Sequence, residues 1–194
     1  MFTGIVQEVG RLREKRGDRL VVEVPKAVSA RLAPGKSIAV NGACLTVREL
    51  AGPGFIAEIS PETARRTTLG GLPPGTRVNL ELPLRVQDGL DGHILLGHID
   101  TLGRVKKIVR EGGGWRFTFS YPPEFARYLV DKGAIAVDGI SLTPFGVNSS
   151  SFSCAVIEET FSRTNLKDRH PGDAVNLEFD ILAKYVKGMI GNVH

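Results

Sequence analysis

Residues 35–47 read GKSIAVNGACLTV, and residues 132–144 read KGAIAVDGISLTP. Laid over one another without a gap, they share the skeleton I-A-V-[ND]-G-x-[CS]-L-T. A repeat is weighed first, because it decides how many folding units the chain holds. The same offset carries Phe55 onto Phe152, PETARRTTL (61–69) onto EETFSRTNL (158–166), and PGTRVNLEL (74–82) onto PGDAVNLEF (171–179). Upstream, FTGIVQEVGRL (2–12) pairs with LGHIDTLGRV (96–105) through G-x-[IV]-x-x-x-G-R. The offset there is smaller, and a longer hairpin around Glu111-Gly112-Gly113-Gly114 takes up the difference. Matching blocks in one order make the chain a tandem duplication. The first copy spans 1–93, the second 94–180, and a tail of 181–194 lies outside the repeat.

Each copy is mainly β. IVQEVGRLREKR, DRLVVEVP, KSIAVNGACLTV, GFIAEIS and RVNLELP are short runs rich in Val, Ile and Leu. Gly, Pro, Asp or Asn bounds them every ten residues or so, roughly the spacing of a small barrel. One stretch per copy predicts a short helix, Pro25–Ala33 and Pro122–Lys132; the second has Pro in its first turn and Phe125, Tyr128 and Leu129 at helical spacing. In the tail, Ile181, Leu182, Tyr185, Val186, Met189 and Ile190 recur at helical spacing behind Asp180, a natural N-cap. The expected fold is two tandem homologous six-stranded antiparallel Greek-key β-barrels plus a C-terminal α-helix. A lone helix of about ten residues is marginal in water, so the tail must dock on its own barrels or a neighbouring chain.

Composition narrows the function classes. Of 194 residues, 42% are hydrophobic and 24% charged, which predicts a packed soluble core, and 23 Gly with 11 Pro favour turns over a helical bundle. The net charge of +4 is spread over single or paired Lys and Arg with acids between them, so nucleic acid is not the expected partner. Anionic small molecules remain compatible with it. Cys44 and Cys154 cannot build a disulfide framework or a four-ligand zinc site, which points to a reducing compartment. MFTGIVQEVG lacks the pattern of a signal peptide, and no run reaches the roughly 20 apolar residues of a membrane span. A soluble, cytoplasmic protein with no membrane association is expected.

Polar residues shared by the copies are candidates for a small-molecule site. Cys44 matches Ser141, Thr46 matches Thr143, Glu62-Thr63 match Glu159-Thr160, Thr67 matches Thr164, and Asn79 matches Asn176. Hydroxyls, a thiol and backbone amides on barrel strands suit a flat heterocycle with amide-like edges and a polyol tail. Part of this set also has a plain structural reading. Arg66/Arg163, Thr67/Thr164 and the Pro-Gly pairs fix turns, and Glu81/Glu178 read as solvated outward-facing positions. Cys44 and Ser141 stand where a plain strand would prefer a β-branched residue, which favours function. Where the copies differ, an asymmetric reaction finds its asymmetric groups: His98 replaces Ile5, and an imidazole is a natural proton carrier near neutral pH. His93 and His98 are spaced off helical phase with no third ligand nearby, so no metal is expected. His170 and His194 read as loop and tail residues.

MFTGIV, NGxCLTV, the central GHxxxGHxD, DGxSLT and NLExDILAKYV together resemble the α-type riboflavin synthase family, from Met1 to about Val186. The resemblance implies a homotrimer with the C-terminal helix at its centre and one 6,7-dimethyl-8-ribityllumazine bound per barrel. It also implies dismutation of two such molecules to riboflavin and 5-amino-6-(D-ribitylamino)uracil by four-carbon transfer, without cofactor or metal. Lumazine synthase, which makes the substrate, is a further partner it raises. By the same resemblance the N-barrel site uses Cys44, Leu45 and Thr46 with Ser60, Glu62 and Thr63, and the neighbouring subunit's Gly97, His98 and Ile99 complete it. The C-barrel site uses Ser141, Leu142, Thr143, Lys132, Ile157, Glu158, Glu159 and Thr160, closed by Gly4, Ile5 and Val6 of the adjoining N-barrel. Ser141 and His98 would transfer protons and stabilise the anion, with Thr143 beside them. Cys44 would contact the partner lumazine, and Asp180 would orient an active-site group or cap the helix. Pro144, where Val is usual, is expected to bend its strand. The same tandem barrels occur in non-catalytic fluorescent lumazine carriers. Retention of Ser141, Thr143, Glu159 and Thr160 favours the enzyme over that alternative. A flavin reductase would need an additional nucleotide-binding domain, and a pure interaction module gives no reason for matched polar residues.

Overall fold

The computed structural model describes residues 1–191, so Asn192, Val193 and His194, the end of the expected 181–194 element, lie outside the described residues. The first copy forms strands β1 (Glu8–Arg16), β2 (Arg19–Glu23), β3 (Ser37–Val40), β4 (Ala43–Thr46), β5 (Glu49–Ala51), β6 (Gly54–Glu58) and β7 (Arg77–Glu81). They pair antiparallel in the order β4-β3-β7-β1-β2-β6-β5. The second copy repeats this with β8 (Thr101–Glu111), β9 (Gly114–Ser120), β10 (Ile135–Val137), β11 (Ile140–Leu142), β12 (Pro144–Phe145), β13 (Ser151–Ile157) and β14 (Ala174–Phe179), in the order β11-β10-β14-β8-β9-β13-β12.

Seven strands per copy, rather than the expected six, arise from one division. The run 43–51 breaks after Thr46, and its halves pair at opposite ends of the sheet, β4 with β3 and β5 with β6. One continuous stretch thus joins both edges of the sheet and closes it, leaving few backbone groups unpaired. The break after Leu142 does the same in the second copy. Pro144 is therefore not the cause of the bend, since Val47 stands at the same turn. Both long first strands also carry a register shift at equivalent places, between Leu12 and Glu14 and between Val105 and Lys107, which sharpens their curl.

The two helical expectations are corrected in length and type. Only α1 (Lys26–Ser29) forms in the first, and the second is a 3-10 turn at Pro123–Tyr128, which still packs Phe125 on Phe179 at 5.4 Å. Two further helices, α2 (Pro61–Arg66) and α3 (Glu158–Arg163), occupy equivalent positions after β6 and β13. Ser60 caps α2, its Oγ accepting the Thr63 N–H at 3.0 Å. The tail forms α4 (Ile181–Gly191), with Asp180 Oδ1 accepting the Leu182 N–H at 2.9 Å.

Each barrel has its own core. The first is aliphatic around Phe55, and the second holds Phe117, Phe119, Phe152 and Phe179. Between them lies a small cluster of Phe2, Leu95, Ala39 and Ala136, two pairs of repeat-equivalent residues meeting about a local two-fold. Phe2 and Leu95 exchange backbone hydrogen bonds at 2.7 and 3.0 Å.

Candidate functional site

The chain crosses over at this two-fold. Ile99, from the start of the second copy, is buried in the first barrel's core, and Val6 packs against the second. Residues 3–6 and 96–99 therefore act as straps, each lying across the opposite barrel. The Gly97 carbonyl accepts the Cys44 N–H at 2.9 Å, and the Gly4 carbonyl accepts the Ser141 N–H at 2.8 Å. Gly97 and Gly4 have φ of +78° and +80°, which suits glycine. A Cβ at Gly97 would stand 2.5 Å from the Cys44 Cβ, and one at Gly4 2.7 Å from the Ser141 Cβ.

Each strap borders a cavity. The N-pocket, of about 410 Å³, is lined by Cys44, Glu62, Thr63 and Arg66 together with Gly97, His98 and Ile99. The C-pocket, of about 430 Å³, is lined by Ser141, Glu159, Thr160 and Arg163 together with Gly4, Ile5 and Val6. Within this chain, then, Gly97, His98 and Ile99 reach Cys44 from the same subunit. The crossover about the two-fold is the reason. His98 and Ser141 lie in different pockets.

Other expected residues sit elsewhere. Leu45 and Leu142 are buried core side chains. Thr46 lines a separate cavity of about 410 Å³ with Arg19, Gly35 and Glu58, and Thr143 is exposed and outside the C-pocket lining. Lys132, also exposed, takes the left-handed conformation of its counterpart Gly35, and its N–H donates to the Pro144 carbonyl at 2.7 Å. Ser60 serves as a helix cap. Ile157 ends β13 and Glu158 begins α3, both outside the pocket lining. Glu62 pairs with Arg65 and Arg66, which lowers its carboxyl pKa, and Glu159 pairs with Arg163 at 2.9 Å.

One half-buried and two buried titratable groups were not foreseen. His93 Nδ1 lies 2.7 Å from Ser141 Oγ, and burial holds its imidazolium pKa below the ordinary value, with Asp180 opposing. His93 and His98 thus serve different pockets. Glu81 and Glu178 are 5% and 2% exposed, correcting their reading as solvated. Glu81 accepts the Thr3 N–H at 2.6 Å and the Gly4 N–H at 3.0 Å, while Glu178 accepts the Leu96 N–H at 2.8 Å and the Gly97 N–H at 3.1 Å. Burial raises both carboxyls. For Glu178 the pKa is pushed up to about 7, with Lys184 lowering it and Asp100 raising it. Charged side chains are seldom buried, so their sequence gives no sign of this role; only the repeat of Glu at both positions does.

The lumazine binding domain family model matches residues 3–83 and again 96–180. A riboflavin synthase of Actinobacillus pleuropneumoniae is 38% identical over 190 residues, covering 96% of this chain and 88% of that protein. A riboflavin synthase of Mycobacterium tuberculosis is 41% identical over 198 residues, covering 98% of each. Among solved structures, LumP complexed with 6,7-dimethyl-8-(1'-D-ribityl) lumazine superposes with a TM-score of 0.83 at 26% identity, over 92% of this chain and 98% of that one. LumP complexed with riboflavin gives a TM-score of 0.86 at 25% identity, over 92% and 99%.

Proposed function

The chain belongs to the riboflavin synthase family of tandem lumazine-binding domains, and on that premise we propose how its two pockets perform the reaction. It is a transferase that dismutates two molecules of 6,7-dimethyl-8-ribityllumazine to riboflavin and 5-amino-6-(D-ribitylamino)uracil by moving a four-carbon unit. The two substrates contain all the atoms of the two products, so the balance needs no water, oxidant or reductant.

The observation that carries the reading is the pair of matched pockets with unmatched polar groups. Identical molecules need different fates, and Cys44 with His98 in one pocket offers a different chemistry from Ser141 in the other, which His93 contacts from behind the lining. The lumazine C7 methyl is acidic because its carbanion delocalises into the ring, so a modest base suffices. A neutral His93 can take the Ser141 proton as the hydroxyl meets the substrate. Backbone amides and Arg163 would then steady the anion. In the N-pocket His98 moves the proton and Cys44 contacts the second lumazine. Holding the two rings in register supplies much of the rate.

Two rings must meet, and we place their meeting between the N-pocket of one subunit and the C-pocket of the next in a homotrimer. The support is α4, which exposes Leu182, Tyr185, Val186, Met189 and Ile190, an apolar face that favours burial against another copy. Both cysteines are free, which supports a reducing cytoplasmic setting. Incubating the protein with 6,7-dimethyl-8-ribityllumazine should produce flavin absorbance without added cofactor. Binding without turnover would move the assignment to a carrier of the LumP kind.

A further inference from the structure

Each strap is anchored in its own barrel and delivered to the other. Glu178, next to last in β14 of the second barrel, takes two successive N–H groups of the strap, from Leu96 and Gly97. The next link is the Gly97 carbonyl on the Cys44 N–H, in the first barrel. Glu81, at the end of β7, holds Thr3 and Gly4 in the same way and adds the Thr3 hydroxyl at 2.9 Å, and the Gly4 carbonyl then meets Ser141. Neither carboxylate lies in the pocket that its strap completes. Both are buried, so their oxygens have little access to water and the strap amides take its place.

We propose that Glu178 and Glu81 are positioning residues that act crosswise: Glu178 in the second barrel organises the N-pocket, and Glu81 in the first organises the C-pocket. A carboxylate is the fitting group because it offers two acceptor oxygens to two neighbouring N–H donors. An amide keeps one acceptor and turns an NH₂ toward the second donor. The strap then loses one hydrogen bond and gains a repulsion, and the glycine beneath it shifts from the Cys44 or Ser141 backbone.

The role in turnover rests on the synthase reading, but the positioning itself has a readout of its own. Cys44 lies under Gly97 at the N-pocket, whereas Cys154 is fully buried and burial pushes its thiol pKa up. In the folded protein at about pH 8, above the raised Glu178 pKa so that its carboxylate is the form present, dithiobis(nitrobenzoate) therefore reads Cys44. Glu178→Gln should speed the Cys44 reaction about tenfold or more, the equivalent of a lost charge-assisted hydrogen bond, with Cys154 still silent. Glu81→Gln should leave the Cys44 rate at its wild-type value. Both variants should raise KM for the lumazine more than they lower kcat, because each leaves one pocket incomplete. Glu178→Asp, which keeps the charge at a shorter reach, gives a milder acceleration and serves as the test if the Gln variant does not fold. Equal acceleration in the Glu178 and Glu81 variants, or none in either Glu178 variant, overturns the crosswise assignment. A wild-type chain that forms no flavin defeats the synthase reading and leaves the thiol result standing.

Discussion

At the scale of single residues, the pairing of Ser141 with His93 has the sharpest consequences. A serine hydroxyl 2.7 Å from a half-buried imidazole can lose its proton to it only while that imidazole is neutral. Ser141→Ala and His93→Ala should each lower kcat by about 10²–10³-fold while changing riboflavin affinity little, as measured by steady-state turnover and flavin fluorescence titration. Because burial depresses the His93 pKa, its neutral form persists below pH 6.5, and the acid limb of kcat belongs below that value; a limb above it would remove His93 from this role. His98→Ala should slow turnover as well, acting from the N-pocket. Glu178 supplies a separate pH signature. A carboxyl whose folded pKa is raised stabilises the fold fully below the unfolded value near 4.5 and loses that contribution as pH rises through about 7. The stability of the wild type relative to Glu178→Gln should fall across that window by roughly 2–3 kcal/mol, with Asp100 and Lys184 as the charged neighbours that tune it. A flat difference in urea stability between pH 4.5 and 7.5 would contradict the assignment. The Cys44/Ser141 and Ile5/His98 differences were legible in the aligned repeat. His93 was not, because its partner is distant in the chain and no spacing rule connects a linker histidine to a strand serine.

At the scale of elements, the straps and the short helices explain most of what the sequence concealed. Strand runs announce themselves by β-branched residues and bounding turns, so the barrels could be read directly. A six-residue helix such as PETARR is too short to show a 3.6-residue period, and its capping Ser60 has the same look as a loop serine. The strap is more hidden still: GIV and GHI look like the first residues of a strand, yet they are held extended across the opposite barrel. Their glycines mark them, since both have positive φ and stand against the backbone of the residue they cover. Gly97→Ala and Gly4→Ala should each cost about 1–3 kcal/mol in strain alone, with the steric contact added to it. Gly71→Ala, with φ of −122° and open space around its Cβ, should be close to neutral. Thermal denaturation of the three variants checks this, and equal Tm values would show that the straps do not need glycine. Gly97→Ala should also disturb the N-pocket first and Gly4→Ala the C-pocket, since each presses on a different lining residue.

At the scale of the molecule, the two barrels are interlocked by buried amides rather than joined by a linker alone. Asn176 Nδ2 donates to the Asn41 carbonyl at 2.8 Å, and its Oδ1 accepts the Thr68 N–H at 2.7 Å. Asn79 mirrors this, donating to the Asp138 carbonyl at 2.9 Å and accepting the Asn165 N–H at 2.7 Å. Thr68 and Asn165 directly follow the helix-bearing segments of the two pockets, so each pocket's helix is braced by an asparagine of the other barrel. The symmetry is imperfect: Asp138 replaces Asn41 in the second copy and pairs with the nearly buried Arg169. The Asn79 and Asn176 side-chain bonds cross between the copies in a dry environment, where an orphaned donor or acceptor costs about 1–3 kcal/mol. Asn176→Ala orphans both the Thr68 N–H and the Asn41 carbonyl, so it should cost about 3 kcal/mol or more. The loss should fall on both barrels together, because neither can keep its pocket helix docked without the other. Trp115, the single tryptophan, reports on the second barrel, whereas far-ultraviolet circular dichroism reports on both. In urea the two signals of the wild type should coincide in one transition, and Asn176→Ala should move them to lower denaturant in step. A tryptophan transition separated from the dichroism curve in the wild type would show two independent barrels. An interlocked pair follows from what the pockets require, since each draws its strap and its helix brace from the opposite copy and cannot be assembled before both have folded.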